Sequence, residues 1–348
     1  MSPKTRKVTQ KEIARLAGVS QTTVSMVLND REGTNVRIPE ATRERVKRAI
    51  EQSTYVADPA ARRLAGLDNK IIGIFTYEPA LSPESMDFYG PLLTGLERAA
   101  EQAGCDLLFF TSSPVEDGRR RLFHRQTRLR LADGCILLGQ NMDGADLERL
   151  VDEAFPFVAI GRRDETAAMV PYVGVDYASL TAQLVERAYE LGHRRGVYVH
   201  RDIDSPAARD RRAQVAASAN GLGIRISEAV VRDDLVSVRE SVRAGEASVL
   251  FAEDTILAED LAHALRRDGL SIPDDVSLAA LGEVGGHTVS GHALSGFRIP
   301  RTRVAAAALD LVQSLIHLPA EEWPTIELQQ LLRGAVESGA TLGTRTAR

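Results

Sequence analysis

The side chains best placed for chemistry near the N-terminus are Gln21, Thr22, Ser25, Met26 and Asn29, which a helix would carry on one exposed face. Amide and hydroxyl groups of this size can hydrogen-bond to base edges and to phosphate oxygens. The alternative is a helical bundle whose polar face binds a protein or nothing. The surrounding sequence favours DNA, because it predicts a turn that leaves this face exposed.

Capped helices hold this face in position. Thr9 and Glu12 have the spacing of a capping box, and the helix that they open stops at Gly18. Ser20 caps the next helix, so the turn AGVS alone separates the two, and such a short turn makes helices cross steeply. Pro39 opens a third helix. The apolar residues expected to pack these helices together are Ile13, Leu16, Ala17, Val24, Val27, Leu28, Ala41, Val46 and Ile50.

Charge is distributed unevenly along the 348 residues. Residues 1–66 carry 13 Lys and Arg against 7 Asp and Glu, whereas the remaining 282 carry 30 against 41, for a net charge of −5. A basic module on an acidic body suits polyanion binding at one end, since phosphate contacts supply most non-specific affinity for DNA. A solvated charged helix would give the same balance, so charge supports the DNA interpretation without deciding it.

The segment YVADPAARRLAG has the pattern of a very short helix. Asp58 can cap it, Pro59 suits its first turn and Gly66 ends it. A helix of about two turns is unstable alone, so we expect it to order on DNA as a hinge. Leu64 would then be an apolar wedge in the minor groove, where such residues kink the duplex, with Arg62 near phosphates. The alternative is an ordinary linker.

From residue 70 onward the chain alternates short apolar runs with amphipathic helices. Regular alternation predicts parallel sheets, and two successive series predict two doubly wound α/β lobes. We expect the second series to start at the strand YVGVD, and residues 116–132 to form a helix of the first. Ligands bind such folds beyond the carboxyl ends of the strands, here in the cleft between the lobes.

Several classes of protein are disfavoured. No window approaches about 18 apolar residues and the N-terminus lacks an apolar signal core, so we expect a cytoplasmic protein without a membrane partner. Cys105 and Cys135 lie beside apolar runs and suit burial better than a disulfide or a metal site. Nucleotide-binding glycine motifs, G-x-S-x-G and H-E-x-x-H are missing, and His287 and His292 lack helical ligand spacing. We therefore expect no enzyme activity, cofactor or metal.

These features resemble the lactose/galactose repressor (LacI/GalR) family of bacterial transcription regulators. The matching strings are VTQKEIARLAGVSQTTVSMVLND, IPEATRERVKRAI and YVADPAARRLAG. The resemblance makes Gln21 and Thr22 the main base readers, with Met26 where the family often has Arg and Asp58 where Asn is usual. It implies a double-stranded DNA operator, whose expected contacts are Thr9, Ser20, Gln21, Thr22, Thr23, Ser25, Met26, Asn29, Ala61, Arg62 and Leu64.

The resemblance continues through nearly the whole chain, as in LADGCILLG and GLSIPDDVSLAALG. It implies a small all-α helix-turn-helix headpiece at residues 1–57, a hinge at 58–69, and a two-lobed α/β domain at 70–348. That domain is similar to the periplasmic binding proteins, with parallel doubly wound sheets. The expected lobe boundaries are about 70–162 with 296–322 for the first lobe, and about 163–295 with 323–345 for the second.

The expected effector contacts match the family pattern less well. Arg211 falls where the family grips its ligand, and a guanidinium suits a carboxylate or vicinal hydroxyls, although a plain surface Arg is the alternative. Gly161 and Gly282 stand where sugar binders often have acids, so either the effector is not a simple sugar or binding has been lost. The residues expected to contact an effector of unknown identity are Phe88, Arg211, Glu253, Asp254 and Glu283.

The family resemblance also implies an assembly. A helix-turn-helix covers half an operator, so we expect a homodimer on a palindromic site, associated with the nucleoid. The tail TLGTRTAR has no apolar heptad, which argues against a tetramer. Ligand in the cleft would change the angle between the lobes and thereby the affinity for the operator. The alternatives are a ligand-independent repressor and a small-molecule-binding protein or enzyme without DNA function.

Overall fold

The structure is a computed structural model that describes residues 8–28, 38–53, 68–116, 119–125, 127–231, 235–289 and 291–345. The chain divides into two compact units, Met1–Ile71 and Ile72–Arg348. Among the described residues, no helix is long and apolar enough to cross a membrane.

The described part of the N-terminal unit consists of α1 (Gln10–Ala17), α2 (Gln21–Leu28) and α3 (Glu40–Glu51). The predicted capping box is present, since Glu12 N donates to Thr9 Oγ1 and Thr9 N donates to Glu12 Oε2. Gly18 ends α1 in the left-handed region at φ 65°, a conformation that glycine adopts without strain. This turn brings α2 against α1, as the sequence predicts.

Small side chains carry part of the core of this unit. Its buried apolar residues are Ile13, Ala14, Ala17, Val24, Val27, Val46 and Ala49. The prediction for Leu16 was wrong, because it is 57% exposed, and Ala41 is exposed as well. On α1, Ile13, Ala14 and Ala17 together occupy the buried face, and Leu16 lies to one side of it.

The larger unit contains further strands and helices. Its strands are β1 (Ile71–Thr76), β2 (Asp106–Phe109), β3 (Val115–Glu116), β4 (Arg119–Arg120), β5 (Gly134–Leu138), β6 (Phe157–Ile160), β7 (Tyr172–Val175), β8 (Arg195–Arg201), β9 (Arg225–Val231), β10 (Val249–Ala252), β11 (Ser277–Glu283), β12 (Thr288–Val289), β13 (His292–Ala293), β14 (Ser295–Arg298), β15 (Gln329–Leu332) and β16 (Ala335–Glu337). Its helices are α4 (Pro83–Ala103), α5 (Gly144–Asp152), α6 (Tyr177–Glu190), α7 (Pro206–Leu222), α8 (Val236–Arg243), α9 (Thr255–Arg267) and α10 (Arg301–His317).

Most of these strands form two sheets, one in each lobe. The first sheet has the order β15–β7–β6–β5–β1–β2 and the second has the order β16–β14–β11–β10–β8–β9. The strands β14 and β16 pair in antiparallel fashion, whereas the pairings β1–β5, β5–β6, β6–β7, β7–β15, β8–β9, β8–β10, β10–β11 and β11–β14 are parallel. Parallel strands joined by helices confirm the predicted doubly wound architecture.

Helices cover both faces of each sheet. In the first lobe α4 and α10 pack on the face that carries Ile74, and α5 packs on the opposite face with Phe75. In the second lobe α6 and α7 cover Phe251, whereas α8 and α9 cover Leu250. Neighbouring residues of one strand thus serve different cores, because successive side chains point to opposite faces of a sheet.

The strand YVGV belongs to the first lobe, which corrects the prediction that it opens the second. As β7 it pairs with β6 and β15, and Tyr172 N donates to Leu328 O. The strand β14 lies in the second sheet and β15 lies in the first. Residues 163–175 and 329–332 therefore belong to the first lobe and not, as expected from the sequence, to the second. Residues 296–298 belong to the second lobe and not to the first. Periodicity could not reveal this, because a strand buried on both faces reads the same in either sheet.

The described residues between 116 and 132 do not form the predicted helix. The described part contains β4 and a single turn of 3-10 helix at Leu129–Leu131. Thr127 Oγ1 accepts from His124 N and donates to Leu122 O, both at 2.7 Å. These side-chain bonds replace helical backbone bonds, a competition that threonine makes possible. The strand β9, the helix α8 and the strand β14 were not predicted at all.

Candidate functional site

The exposed face of α2 carries the residues that the sequence singles out. Ser20 Oγ accepts from Thr23 N at 3.1 Å and lies 2.8 Å from Thr23 Oγ1, so these two hydroxyls fix the start of the helix. Gln21 and Thr22 are exposed, whereas Ser25 and Met26 are half-buried. The side chains nearest the N-terminus of α2 are therefore the ones free to meet a ligand.

The remaining predicted DNA contacts have different positions. Thr9 is the N-cap of α1, so its oxygen lone pair is engaged with Glu12 N and its hydroxyl can still donate. The predicted contacts that lie outside the described residues are Asn29, Ala61, Arg62 and Leu64.

Arg211 lies at the carboxyl edge of the second sheet, on α7. Its guanidinium carbon is 4.8 Å from the centre of the Tyr177 ring, and Nη1 donates to Leu281 O at 3.4 Å. Its Nε is buried and has no hydrogen-bond partner among the described residues. A buried donor without a partner is costly, so this guanidinium is suited to receive an acceptor from a ligand.

Glu253 follows β10 and is buried near Arg211. Its carboxylate accepts from Tyr198 Oη at 3.5 Å and from Arg201 N at 3.2 Å. Burial raises the pKa of Glu253 above 4.5, and the positive charge of Arg211 opposes that rise. The structure thus brings Arg211 and Glu253 into one electrostatic environment, as expected for two residues of one site.

Asp254 has a structural role instead. It caps α9 by accepting from Leu257 N at 2.7 Å, and Arg201 Nη1 donates to both of its oxygens, at 2.9 and 3.1 Å. These bonds occupy the carboxylate, so the structure does not leave Asp254 free for an effector.

Glu283 and Phe88 meet through Arg301, at the start of α10. Glu283 Oε2 accepts from Ile299 N at 2.7 Å and from Arg301 Nη1 at 3.3 Å. The guanidinium carbon of Arg301 lies 5.3 Å from the centre of the Phe88 ring, which is 39% exposed. The sequence analysis did not select Arg301 as a site residue. Its position shortly after the predicted crossing between the lobes at residue 296 could have indicated a place at the lobe boundary.

Gly161 and Gly282, which stand where the family resemblance places acids, are both closely surrounded on the side where a Cβ would lie. Gly161 has φ +92°, and a Cβ there would lie 2.7 Å from Arg163 Nη2. At Gly282 a Cβ would lie 3.0 Å from Thr255 Oγ1 and 3.2 Å from the Cα of Asp254. Arg163 therefore fills the space that an acid would use at the first position, and the start of α9 fills it at the second.

The sequence analysis missed a partly buried polar cluster at the carboxyl edge of the first sheet. Glu78 Oε2 accepts from Tyr89 Oη at 2.8 Å, and Glu78 Oε1 accepts from Gln140 N at 3.0 Å. Arg163 donates to Glu165 at 3.1 Å, and burial lowers its pKa. Glu78 follows β1 and Arg163 follows β6, so their positions just beyond apolar strands could have identified them.

Ion pairs join the two lobes across this edge. Arg162, which follows β6 in the first lobe, donates through Nε and Nη2 to the two oxygens of Asp210 on α7, at 3.0 and 2.8 Å. Arg209 on the same helix is paired with Asp164 of the first lobe. The carboxyl edges of the sheets therefore meet here, at the place between the lobes where the sequence predicts a ligand site.

The described part of the chain contains no metal-binding cluster and no disulfide. No group of three or more His, Cys, Asp or Glu is arranged there to hold a metal ion. His287 Nδ1 lies 2.8 Å from Glu259 Oε1, and His292 is exposed. Neither cysteine forms a disulfide; Cys135 is buried and Cys105 is half-buried, and burial raises the pKa of Cys135.

Family models match along most of the chain. Residues 9–58 match bacterial regulatory proteins of the lacI family. Residues 80–249 match the periplasmic binding proteins and sugar binding domain of the LacI family, and residues 185–335 match a periplasmic binding protein-like domain.

Several known regulators are similar to this chain. The HTH-type transcriptional regulator CelR of Thermobifida fusca is 28% identical over 302 residues, which are 83% of this chain and 85% of that protein. Catabolite control protein A of Priestia megaterium is 23% identical and covers 92% of this chain and 96% of its own. The sucrose operon repressor of Klebsiella pneumoniae is 32% identical over 185 residues, 53% of this chain and 52% of that protein.

Solved structures share the fold. A lac repressor dimer bound to operator and the anti-inducer ONPF aligns with a TM-score of 0.72 at 18% identity, over 97% of this chain and 100% of that one. A complex of the regulator CelR with cellobiose aligns with a TM-score of 0.61 at 23% identity, over 96% and 100%. With its helix-turn-helix headpiece and two-lobed domain, the chain belongs to the LacI family of bacterial transcription regulators.

Proposed function

We propose that the chain binds an operator in double-stranded DNA, with α2 in the major groove and Gln21 and Thr22 as the main base readers. Support comes from the exposure of these two side chains at the start of a capped helix and from the surplus of Lys and Arg in residues 1–66. An amide side chain can read adenine through paired hydrogen bonds, whereas Met26 can meet a thymine methyl group.

Deletion of the Gln21 amide provides the test. A lost base contact costs about 1–3 kcal/mol and relaxes specificity at one position. Gln21→Ala should therefore weaken specific binding by about 5- to 150-fold and leave non-specific binding unchanged. Gln52→Ala removes the same group from an exposed position after α3 and serves as the control. An equal loss in both variants would contradict the proposed role of Gln21.

The segment around Leu64 has the sequence of a hinge helix that carries an apolar wedge. We propose that Leu64 and Ala61 enter the minor groove at the centre of the operator, with Arg62 near a phosphate. Leu64→Ala should weaken specific binding more than non-specific binding. The reason is that kinking the duplex costs least free energy at a deformable base step, which the operator has at its centre and random DNA mostly lacks. Equal losses on both kinds of DNA would contradict the wedge.

We also propose a homodimer on a palindromic operator, because each headpiece covers half a site. The lac repressor of similar fold was solved as a dimer on its operator. Sedimentation of the full chain with and without operator DNA tests this. A dimer bound to one duplex supports the proposal, and a monomer on a half-site contradicts it.

The effector site that we propose is the cleft between the lobes, with Arg211 and Glu253 as its central residues. The unpartnered Nε of Arg211 is the observation that carries this proposal. CelR of similar fold was solved with cellobiose, but Gly161 and Gly282 stand at two positions where the family resemblance places acids that hold sugar hydroxyls. We therefore expect an effector that offers acceptors to a guanidinium, or a repressor that acts without ligand.

Binding in the cleft would act as a population shift between lobe arrangements that differ in operator affinity. A ligand at 100 times its Kd stabilises the native state by about 2.7 kcal/mol, so a thermal-shift screen of metabolites can find it. A compound that raises the Tm and changes operator affinity supports the cleft proposal. A complete screen without a hit favours the ligand-independent repressor.

We propose that the protein works as a regulator at the nucleoid in the cytoplasm and not as an enzyme. Support comes from relatives that are named as a transcriptional regulator, CelR, and as an operon repressor.

A further inference from the structure

A second concave site lies on the first lobe, away from the cleft. It is a cavity of about 760 Å³ between residues 123–125 and 127–131 on one side and the helix α5 with the residues that follow it on the other. The cavity occupies the region where the sequence predicts a helix and the structure has an irregular segment instead. Small-molecule sites commonly have volumes of about 300–1,000 Å³, so this cavity is large enough for one.

The rim of this cavity is strongly basic. Arg125, Arg128, Arg130 and Arg149 line it, and Glu153 is the acid among its described lining residues. Glu153 accepts from Arg130 Nη2 and from Arg149 Nε, both at 2.8 Å. These bonds leave Arg125 and Arg128 without an acidic partner in the described part of the chain.

The sequence reinforces this contrast. Residues 119–130 contain six arginines and no Asp or Glu, although residues 67–348 carry 41 acidic against 30 basic side chains. A local concentration of one charge on a body of the opposite charge focuses the electrostatic potential at that place. The charge around the cavity therefore favours an anionic ligand.

The floor of the cavity is apolar. Phe123, Leu129 and Phe155 contribute to it, and the guanidinium carbon of Arg149 lies 4.0 Å from the centre of the Phe123 ring. His124 also lines the cavity. Its Nδ1 lies 2.7 Å from Thr127 Oγ1, whereas its Nε2 is buried without a hydrogen-bond partner in the described residues. A ligand with both a charged and a less polar part would suit this combination.

We propose that this arginine-lined cavity binds a small phosphate ester of about nucleotide size. Guanidinium groups match phosphate geometry through paired, charge-assisted hydrogen bonds, which suits Arg125 and Arg128. The non-phosphate part of the ligand lies against Phe123, Leu129 and Phe155. A concave site of this volume accepts one small molecule, whereas a nucleic acid or a protein would call for a broader surface.

The cavity is independent of the cleft, since it shares no described lining residue with Arg211, Glu253 or the ion pairs between the lobes. The proposal therefore does not rest on the effector proposed for the cleft. Arg211→Ala separates the two sites experimentally, because it changes only the cleft.

Calorimetric titration of the full-length chain tests the proposal with ADP, inorganic pyrophosphate and uncharged adenosine as probes. ADP and pyrophosphate should bind, with ADP the tighter, and adenosine should not. Arg125→Ala/Arg128→Ala should weaken ADP binding by tenfold or more. The control Arg266→Ala/Arg267→Ala, which removes two exposed charges from α9, should bind as the unmodified chain does, as should Arg211→Ala.

Several outcomes would overturn the proposal. One is ADP binding that is equally strong in the Arg125→Ala/Arg128→Ala variant. Another is the absence of binding by ADP and pyrophosphate at millimolar concentration. A third is binding confined to a long polyanion such as heparin, which would indicate a surface for macromolecules. Thermal unfolding of each variant checks that it folds, and Arg125→Lys/Arg128→Lys should recover part of the lost affinity.

Discussion

Arg162 and Asp210 form a bidentate ion pair that joins the two lobes of the larger unit. The two bonds are 3.0 and 2.8 Å long, and both side chains are about one-quarter exposed. Arg162 follows a strand of the first sheet, whereas Asp210 lies in the first turns of α7 in the second lobe. A change in the angle between the lobes would therefore stretch or break this pair.

Asp210→Asn should loosen this link without unfolding the protein. A pair this exposed contributes at most about 1 kcal/mol, so the free energy of unfolding should change little. Amide hydrogen exchange at residues 161–165 and 206–210 should nevertheless become faster, because the lobes separate more often.

Asp260→Asn is the matched control, since it removes an Arg–Asp pair, with Arg201, that lies within the second lobe. Exchange at residues 161–165 that is equally fast in both variants would argue that Asp210 does not hold the lobes together.

Glu253→Gln should change how stability depends on pH. Because burial raises the pKa of Glu253, the native state keeps a proton that the unfolded state has lost once the pH exceeds 4.5. The free energy of unfolding therefore falls as the pH rises from 4.5 to the raised native pKa of Glu253. At higher pH it stays at this lower value, because Glu253 is then ionised in both the native and the unfolded state.

The Gln side chain has no charge to bury, so the variant should gain stability relative to the unmodified chain between pH 4.5 and pH 8. Urea unfolding across this range measures the difference. Glu186→Gln, at an exposed position on α6, is the control. Parallel curves for Glu253→Gln and the unmodified chain would contradict the assigned cause.

Arg211→Ala should abolish the thermal shift caused by any compound that binds in the cleft. Arg212→Ala is its neighbour on α7, but Arg212 is exposed and paired with Glu228. This control should keep the full shift. If both variants respond like the unmodified chain, the ligand does not contact Arg211.

Thr9→Ala should destabilise the N-terminal unit. Loss of an N-cap costs about 1 kcal/mol. The reciprocal hydrogen bond from Thr9 N to the Glu12 carboxylate should weaken as well, because the two bonds of a capping box hold each other in place. Thr22→Ala removes the same hydroxyl from an exposed position and should keep the stability but lose DNA affinity. Thermal unfolding together with DNA titration separates the two effects, and identical behaviour of the variants would contradict both assignments.

Local sequence signals predicted the elements that depend on local bonds. Thr9, Glu12 and Gly18 specify the ends of α1 through contacts within a few residues, and the structure has those contacts. Leu16 was misplaced because the side of a helix that faces the core is decided by its partner helices. The sheet to which Tyr172 belongs was misplaced for the same reason, since its bonding partner Leu328 is far away in sequence.

The candidate site shows the same limit. Arg211 and Glu253 were found from the family pattern, but the engagement of Asp254 by Arg201 depends on two strands that only the fold brings together. Gly161 was noted as a missing acid, yet its cause, the guanidinium of Arg163 in that space, needs the three-dimensional arrangement. The sequence thus predicted that Arg211 and Glu253 lie close together, but it did not predict the contacts of Asp254 and Gly161.

The central claim is sequence-specific operator binding, and selection of bound fragments from random duplex DNA tests it most directly. We expect one palindromic sequence with a flexible pyrimidine–purine step at its centre, bound with a steep dependence on salt. Selection with Gln21→Ala should relax one position in each half-site. The selection is run with the protein alone and again with added cell extract to supply a corepressor. If neither selection enriches a sequence, the protein does not bind an operator sequence specifically.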